Sequence, residues 1–149
     1  MLSVAPASGP DGQIQLHASS VVINGHALAI TGPSGSGKSA FALALIGRGA
    51  TLLADDITWL TASGPVLTAT CPPMLSGRIE ARGVGILRVS PADPAPLRAI
   101  VDLGAPEPDR LPDPHTTTLG GIDIRVFHTP AMAHFIDAIL LYMSDDTAD

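Results

Sequence analysis

Residues 32–39 read GPSGSGKS, and no other stretch constrains the chain as strongly. It fits the Walker A template, Gly-x-x-x-x-Gly-Lys followed by Ser or Thr, with Gly32 and Gly37 as the glycines. Glycines let successive backbone N–H groups turn inward on a phosphate, and a helix starting there adds the positive end of its dipole. On this reading Lys38 faces the β- and γ-phosphates and the Ser39 hydroxyl is a Mg²⁺ ligand. The flanks suit the motif. HALAIT (26–31) is a short apolar strand, and SAFALALIGR (39–48) is an Ala- and Leu-rich helix that Gly49 can terminate. Lys38 is the sole lysine; the other seven basic residues are arginines.

With 149 residues, 46% of them hydrophobic, the chain reads as one globular domain able to bury a core. The mean hydropathy of +0.34 argues against disorder. No apolar run reaches the roughly 18 residues of a membrane span, and the N-terminus lacks a signal-peptide pattern, so a soluble cytoplasmic protein is expected. A net charge of −6, with no Lys/Arg run and only five aromatic residues, disfavours nucleic acid as a partner. The single cysteine, Cys71, allows no intramolecular disulfide and reads as structural.

Residues 1–12 read as a loose lead-in. QIQLHASSVVIN (13–24) alternates in two short stretches, with Asn24-Gly25 as a hairpin turn into the Walker strand. TLLA (51–54) is a further strand ending in Asp55-Asp56, and 57–60 with 66–69 form a hairpin around Ser63-Gly64-Pro65. AIVDL (99–103) and IDIRVF (122–127) are strands on either side of a proline-rich, irregular segment at 106–114. A closing helix is expected over 131–143, and 144–149 is an acidic tail. The first strands of the sheet are expected to be antiparallel.

Several polar groups are candidates for chemistry. Asp55 and Asp56 end the strand after the Walker helix, where one acid can serve a metal and the other a proton, though adjacent aspartates also simply start turns. Glu80, flanked by Arg78 and Arg82 in GRIEARGVG, reads either as a second Mg²⁺ contact or as a surface acid. His17 by itself is more readily structural, and Arg110 by default a solvated charge.

Taken in order, His17, GPSGSGKS, GRGATLLADD, CPPMLSGRIEARGVGIL and DRL resemble the C-terminal catalytic domain of the bacterial HPr kinase/phosphorylase family, in a short form without its N-terminal domain. The resemblance covers most of residues 16–111. It implies an α/β fold of the P-loop type shared with phosphoenolpyruvate carboxykinase, a mixed sheet flanked by helices, over 1–149. It also implies an ATP- and Mg²⁺-dependent kinase of a serine on the phosphocarrier HPr, with reverse dephosphorylation by inorganic phosphate, in regulation of the phosphotransferase system. Under it the loop residues Gly32, Pro33, Ser34, Gly35, Ser36, Gly37, Lys38 and Ser39 bind the nucleotide. Asp55 is the catalytic carboxylate, Lys38 and His17 share the catalytic site, and Ser39, Glu80 and Asp56 serve the metal. Ala81 stands where the family signature has a bulkier aliphatic residue. The C-terminal IRVFHTPAMAHF, with Arg125 and His128, lacks the family's arginine-rich loop. That leaves a second reading, an ATP-binding regulatory module with little transfer. Full-length members are hexamers, which this chain need not be.

Overall fold

The computed structural model describes residues 1–145, which form twelve strands and two α-helices. In chain order the strands are β1 (Ala7–Ser8), β2 (Ile14–Leu16), β3 (Ala18–Ile23), β4 (His26–Thr31), β5 (Thr51–Ala54), β6 (Thr58–Ser63), β7 (Val66–Thr70), β8 (Arg78–Ala81), β9 (Gly85–Arg88), β10 (Ala95–Pro106), β11 (His115–Leu119) and β12 (Ile122–Thr129). Helix α1 is Lys38–Ile46 and α2 is Phe135–Ser144. Residues 146–149 of the expected acidic tail lie outside the described residues.

Ten strands make one mixed sheet, in which β4 lies between β3 and β10. The β3–β4 pairing is antiparallel through the expected turn, where Asn24 (φ +53°) and Gly25 (φ +76°) both take left-handed backbone. β10 runs parallel to both β4 and β12, while its first residues, Ala95 and Pro96, pair antiparallel with β7. One long strand thus joins two parts of the sheet. The hairpin β8–β9 stands apart as a second small sheet.

The apolar run of β4 is explained by burial on both faces. Ala27 and Ala29 enter one core with Leu16, Leu53, Leu60, Leu67 and Val126, where the curled sheet closes on itself. Leu28 and Ile30 enter the other, under Phe41 and Leu45 of α1 and Ile139 and Met143 of α2. Each such fully buried aliphatic side chain contributes about 1.5–3 kcal/mol. Both helices therefore cover a single face. The edge contact between Phe41 and Phe135, with centroids 6.0 Å apart, joins them, and the exposed Arg48–Asp137 pair at 2.9 Å adds little.

Three local expectations differ from the structure. The lead-in is not loose throughout: Leu2 is buried in the core, and Ser3 donates its N–H and its hydroxyl to Asp102. β11 was not expected. Helix α2 starts at Phe135 rather than at 131, because residues 130–135 close turns instead, with Met132 N–H bonded to Pro130 O and Phe135 N–H to Met132 O.

Candidate active site

The site begins where β4 ends. Gly32 has φ +151°, and a Cβ there would meet Ser36 Oγ at 2.5 Å and Leu103 Cβ at 3.2 Å. Only glycine lets the loop leave the strand at that angle. Gly35 (φ +81°) and Gly37 (φ +99°) carry the loop around, with Ser36 N–H donating to Pro33 O at 3.0 Å. Gly37 then precedes α1 without any side-chain cap, so the first N–H groups of the helix are left to another acceptor. Lys38 Nζ donates to Gly32 O at 3.0 Å and Pro33 O at 3.3 Å, which folds the ammonium over the loop. Ser36 Oγ is buried and has no hydrogen-bond partner. The rear of the loop is packed by β10: a Cβ on Gly104 would lie 2.8 Å from Pro33 Cδ and would collide with Ser3 Oγ.

β5 delivers Asp55 to the same corner, because TLLA runs antiparallel to β3 and ends beside the start of α1. Asp55 Oδ1 accepts the Ser39 hydroxyl at 2.7 Å and the Ser19 hydroxyl at 2.7 Å, and Oδ2 accepts Glu80 N–H at 2.9 Å. Three donors from α1, β3 and β8 therefore hold one half-buried carboxylate in place. Such charge-assisted bonds are about twice as strong as neutral ones and fix orientation as well. Asp56 is exposed, with φ +70°, and its N–H donates to Ser19 Oγ at 3.2 Å. Asp56 thus takes the turn conformation, while Asp55 faces the glycine loop.

Glu80 reaches the cluster through its backbone, while its side chain is on the exposed side of β8, where Ile79 and Ala81 are buried. His17 is exposed between β2 and β3. The register pairs Ala18 with Thr31, so His17 stands one step further along, opposite Gly32. Arg82 and Arg110 are exposed. Cys71 is half-buried near this corner; burial first, and then the Asp55 charge, push its thiol pKa up, consistent with a structural residue.

Ser19 escaped the sequence reading. A polar residue inside the apolar strand SSVVI was the available signal, and the structure buries it fully against Asp55. Asp102 escaped in the same way. It is fully buried at the end of the parallel portion of β10, paired in register with Thr31, and accepts Ser3 and Gly104 N–H.

A mixed α/β sheet carrying a glycine loop and a fixed carboxylate at one strand edge defines the class. Residues 11–92 match the family model described as the HPr Serine kinase C-terminal domain, and the chain belongs to that family. It is 46% identical over 78 residues to the HPr kinase/phosphorylase of Azoarcus sp. (strain BH72), and 47% identical over 78 residues to that of Aromatoleum aromaticum. Each match covers 52% of this chain and 25% of the relative, so the chain spans about a quarter of the length of the curated relatives it matches. The structure of the Hpr(Ser) kinase/phosphatase from Coxiella burnetii superposes with a TM-score of 0.72 at 26% identity, covering 85% of this chain and 91% of that one. The expected fold is therefore that of this family, with a large curled mixed sheet. Among the described residues no helix is long and apolar enough to cross a membrane.

Proposed function

We propose that this corner is a Mg²⁺-ATP site and that the chain transfers the γ-phosphoryl group to a serine hydroxyl on HPr or an HPr-like phosphocarrier, in the cytoplasm. The observation that carries the reading is the Ser39–Asp55 hydrogen bond, which joins the last residue of the Walker motif to the first acid after it. The residues fit the group. Ser36 Oγ is buried without a partner beside uncapped helix N–H groups, and the Ser39 hydroxyl is an oxygen donor of the kind Mg²⁺ prefers. When bound, Mg²⁺-ATP supplies the transferring phosphoryl group and neutralises part of its charge.

The chain's own residues do the rest. The loop from Gly32 to Ser39 would hold the phosphates through backbone N–H groups, and Lys38, which otherwise bonds the carbonyls of Gly32 and Pro33, would supply its charge to them. Asp55, held by Ser19 and Glu80 N–H, accepts the proton of the incoming serine late in the step. In the reverse direction the phosphoryl group passes from phosphoserine to inorganic phosphate, giving pyrophosphate, and the same carboxyl returns the proton to the serine oxygen. His17 would stand beside the loop, and Asp56 and Glu80 with Ser39 would hold the Mg²⁺. Incubation with ATP, Mg²⁺ and the cognate carrier should yield phosphoserine, and Asp55→Asn should keep nucleotide affinity while losing transfer. Absence of transfer to every carrier of the same genome would count against the kinase.

One observation favours the regulatory reading. Arg125, in the segment where the family's arginine-rich loop is expected, lies 4.6 Å over the Phe127 ring and 6.0 Å from that of Tyr142. Its guanidinium is thus engaged with aromatic rings. Calorimetric nucleotide binding without turnover of any carrier would establish this second function in place of the first.

A further inference from the structure

Three strand ends meet beyond the end of β10. β10 ends at Pro106, and Glu107 follows it with its N–H bonded to Thr129 O at 3.1 Å. β11 begins with His115, which pairs in register with Val126 of β12. Two residues beyond Val126, on the same face of β12, stands His128, so the two imidazoles are diagonal neighbours across the ladder. Their rings stack with centroids 3.9 Å apart and 15° between planes. His115 Nε2 lies 2.8 Å from Glu107 Oε1, and Glu107 Oε2 accepts Asp109 N–H at 3.3 Å, which fixes the carboxylate from its other side.

The Glu107 side chain is buried and the two histidines are half-buried, and all three offer donor atoms within 4.8 Å of one another on the wall of a cavity of about 410 Å³. His134 and Asp113 line the same cavity. The geometry points to a divalent transition-metal site, of the Zn²⁺ class, formed by Glu107, His115 and His128 with water in the remaining position.

The ligand chemistry separates this site from the Walker corner. Two imidazoles and one carboxylate suit Zn²⁺, Co²⁺ or Ni²⁺, whereas Mg²⁺ takes oxygen ligands. Two donors about 2.1 Å from one tetrahedral ion sit roughly 3.4 Å apart, so the present spread of up to 4.8 Å has to close by side-chain rotation as the ion binds. Turning one ring out of the stack makes the two in-plane lone pairs converge. The ion takes the place of the hydrogen between His115 Nε2 and Glu107 Oε1, and the neutral imidazole carries its one proton on Nδ1 instead. The Asp109 N–H bond then orients the carboxylate ligand from behind. Bound there, the metal ties the start of the 107–114 segment to the ends of β11 and β12, three residues beyond the glycine that packs on Pro33.

The test titrates the EDTA-treated full chain with Zn²⁺ alone by calorimetry, and with Co²⁺ alone by visible absorption. One ion per chain is expected, with affinity at least tenfold weaker in His128→Ala and in His115→Gln, and unchanged in Glu80→Gln. Circular dichroism checks the fold of each variant. On the unaltered chain, imidazole NMR during Zn²⁺ addition should perturb His115 and His128 and leave His17 and His26 in place. Failure of the unaltered chain to bind Zn²⁺, affinity in both folded histidine variants equal to that of the unaltered chain, or perturbation centred on His17 would overturn the site.

Discussion

The Walker corner and the Glu107 corner lie on the same edge of one sheet, since β4, β10 and β12 run parallel and both corners sit at their C-terminal ends. They are built differently. At the first, consecutive residues from Gly32 to Ser39 supply most of the groups, and Asp55 is fixed by hydrogen bonds from three elements. At the second, Glu107, His115 and His128 come from separate strand ends and are held by two hydrogen bonds to the Glu107 carboxylate and a ring stack. A site made of consecutive residues leaves a motif in the sequence. A site made by register leaves only scattered residues that nothing but the pairing of strands brings together.

The largest effect that separates the two corners is expected from Lys38→Ala. Loss of the charge on the developing β,γ oxygens should lower transfer by about 10²–10³-fold, measured as phosphoserine formed per minute. Zn²⁺ titration of the same variant should be unaltered; a parallel loss would show the corners to be one unit. Next comes Asp102→Ala, between them. It removes a fully buried carboxylate that accepts Ser3 and Gly104, so stability to urea should fall by about 2–3 kcal/mol. An unchanged urea midpoint would mean that the N-terminal segment contributes nothing to the join.

A smaller, pH-dependent effect should mark the second corner alone. The hydrogen bond from His115 holds the Glu107 carboxyl below its ordinary value of 4.5. A depressed carboxylate stabilises the fold above its unfolded pKa and loses that contribution as pH falls through its folded value. The melting temperatures of the unaltered protein and Glu107→Gln should therefore differ near neutrality and converge as pH drops below about 4.5. A gap that widens in acid would reverse the assignment. The smallest effect belongs to Cys71, whose thiol is raised by burial and by the Asp55 charge. Asp55→Asn removes the second cause, so alkylation of this single cysteine at pH 8 should quicken a few-fold, while Glu107→Gln should leave it alone.

Residues governed by local rules were legible in the sequence. Asn24-Gly25 specified its turn, HALAIT its doubly buried strand, and Gly32 to Ser39 the loop and the helix after it. Residues whose role depends on tertiary pairing were not. HTTTL carries one apolar residue after a proline-rich stretch, and becomes β11 only because β12 offers it an edge. Ser19, buried in an otherwise apolar strand, acquires its role when β5 brings Asp55 alongside β3. Residues 131–134 look helical by composition, yet Met132 is 54% exposed and the chain turns there instead.

β10 also sets the order of assembly. The loop-bearing strand β4 finds one neighbour at once, through a two-residue turn, but its other neighbour lies 70 residues further on, as in the Ala27–Leu97 pair. Pairings so distant in sequence incur loop-closure entropy before they return any burial, and folding slows accordingly. Leu103 and Gly104, which back Gly32 and Pro33, arrive with that strand. The glycine loop is therefore made well before the strand that gives it its final shape.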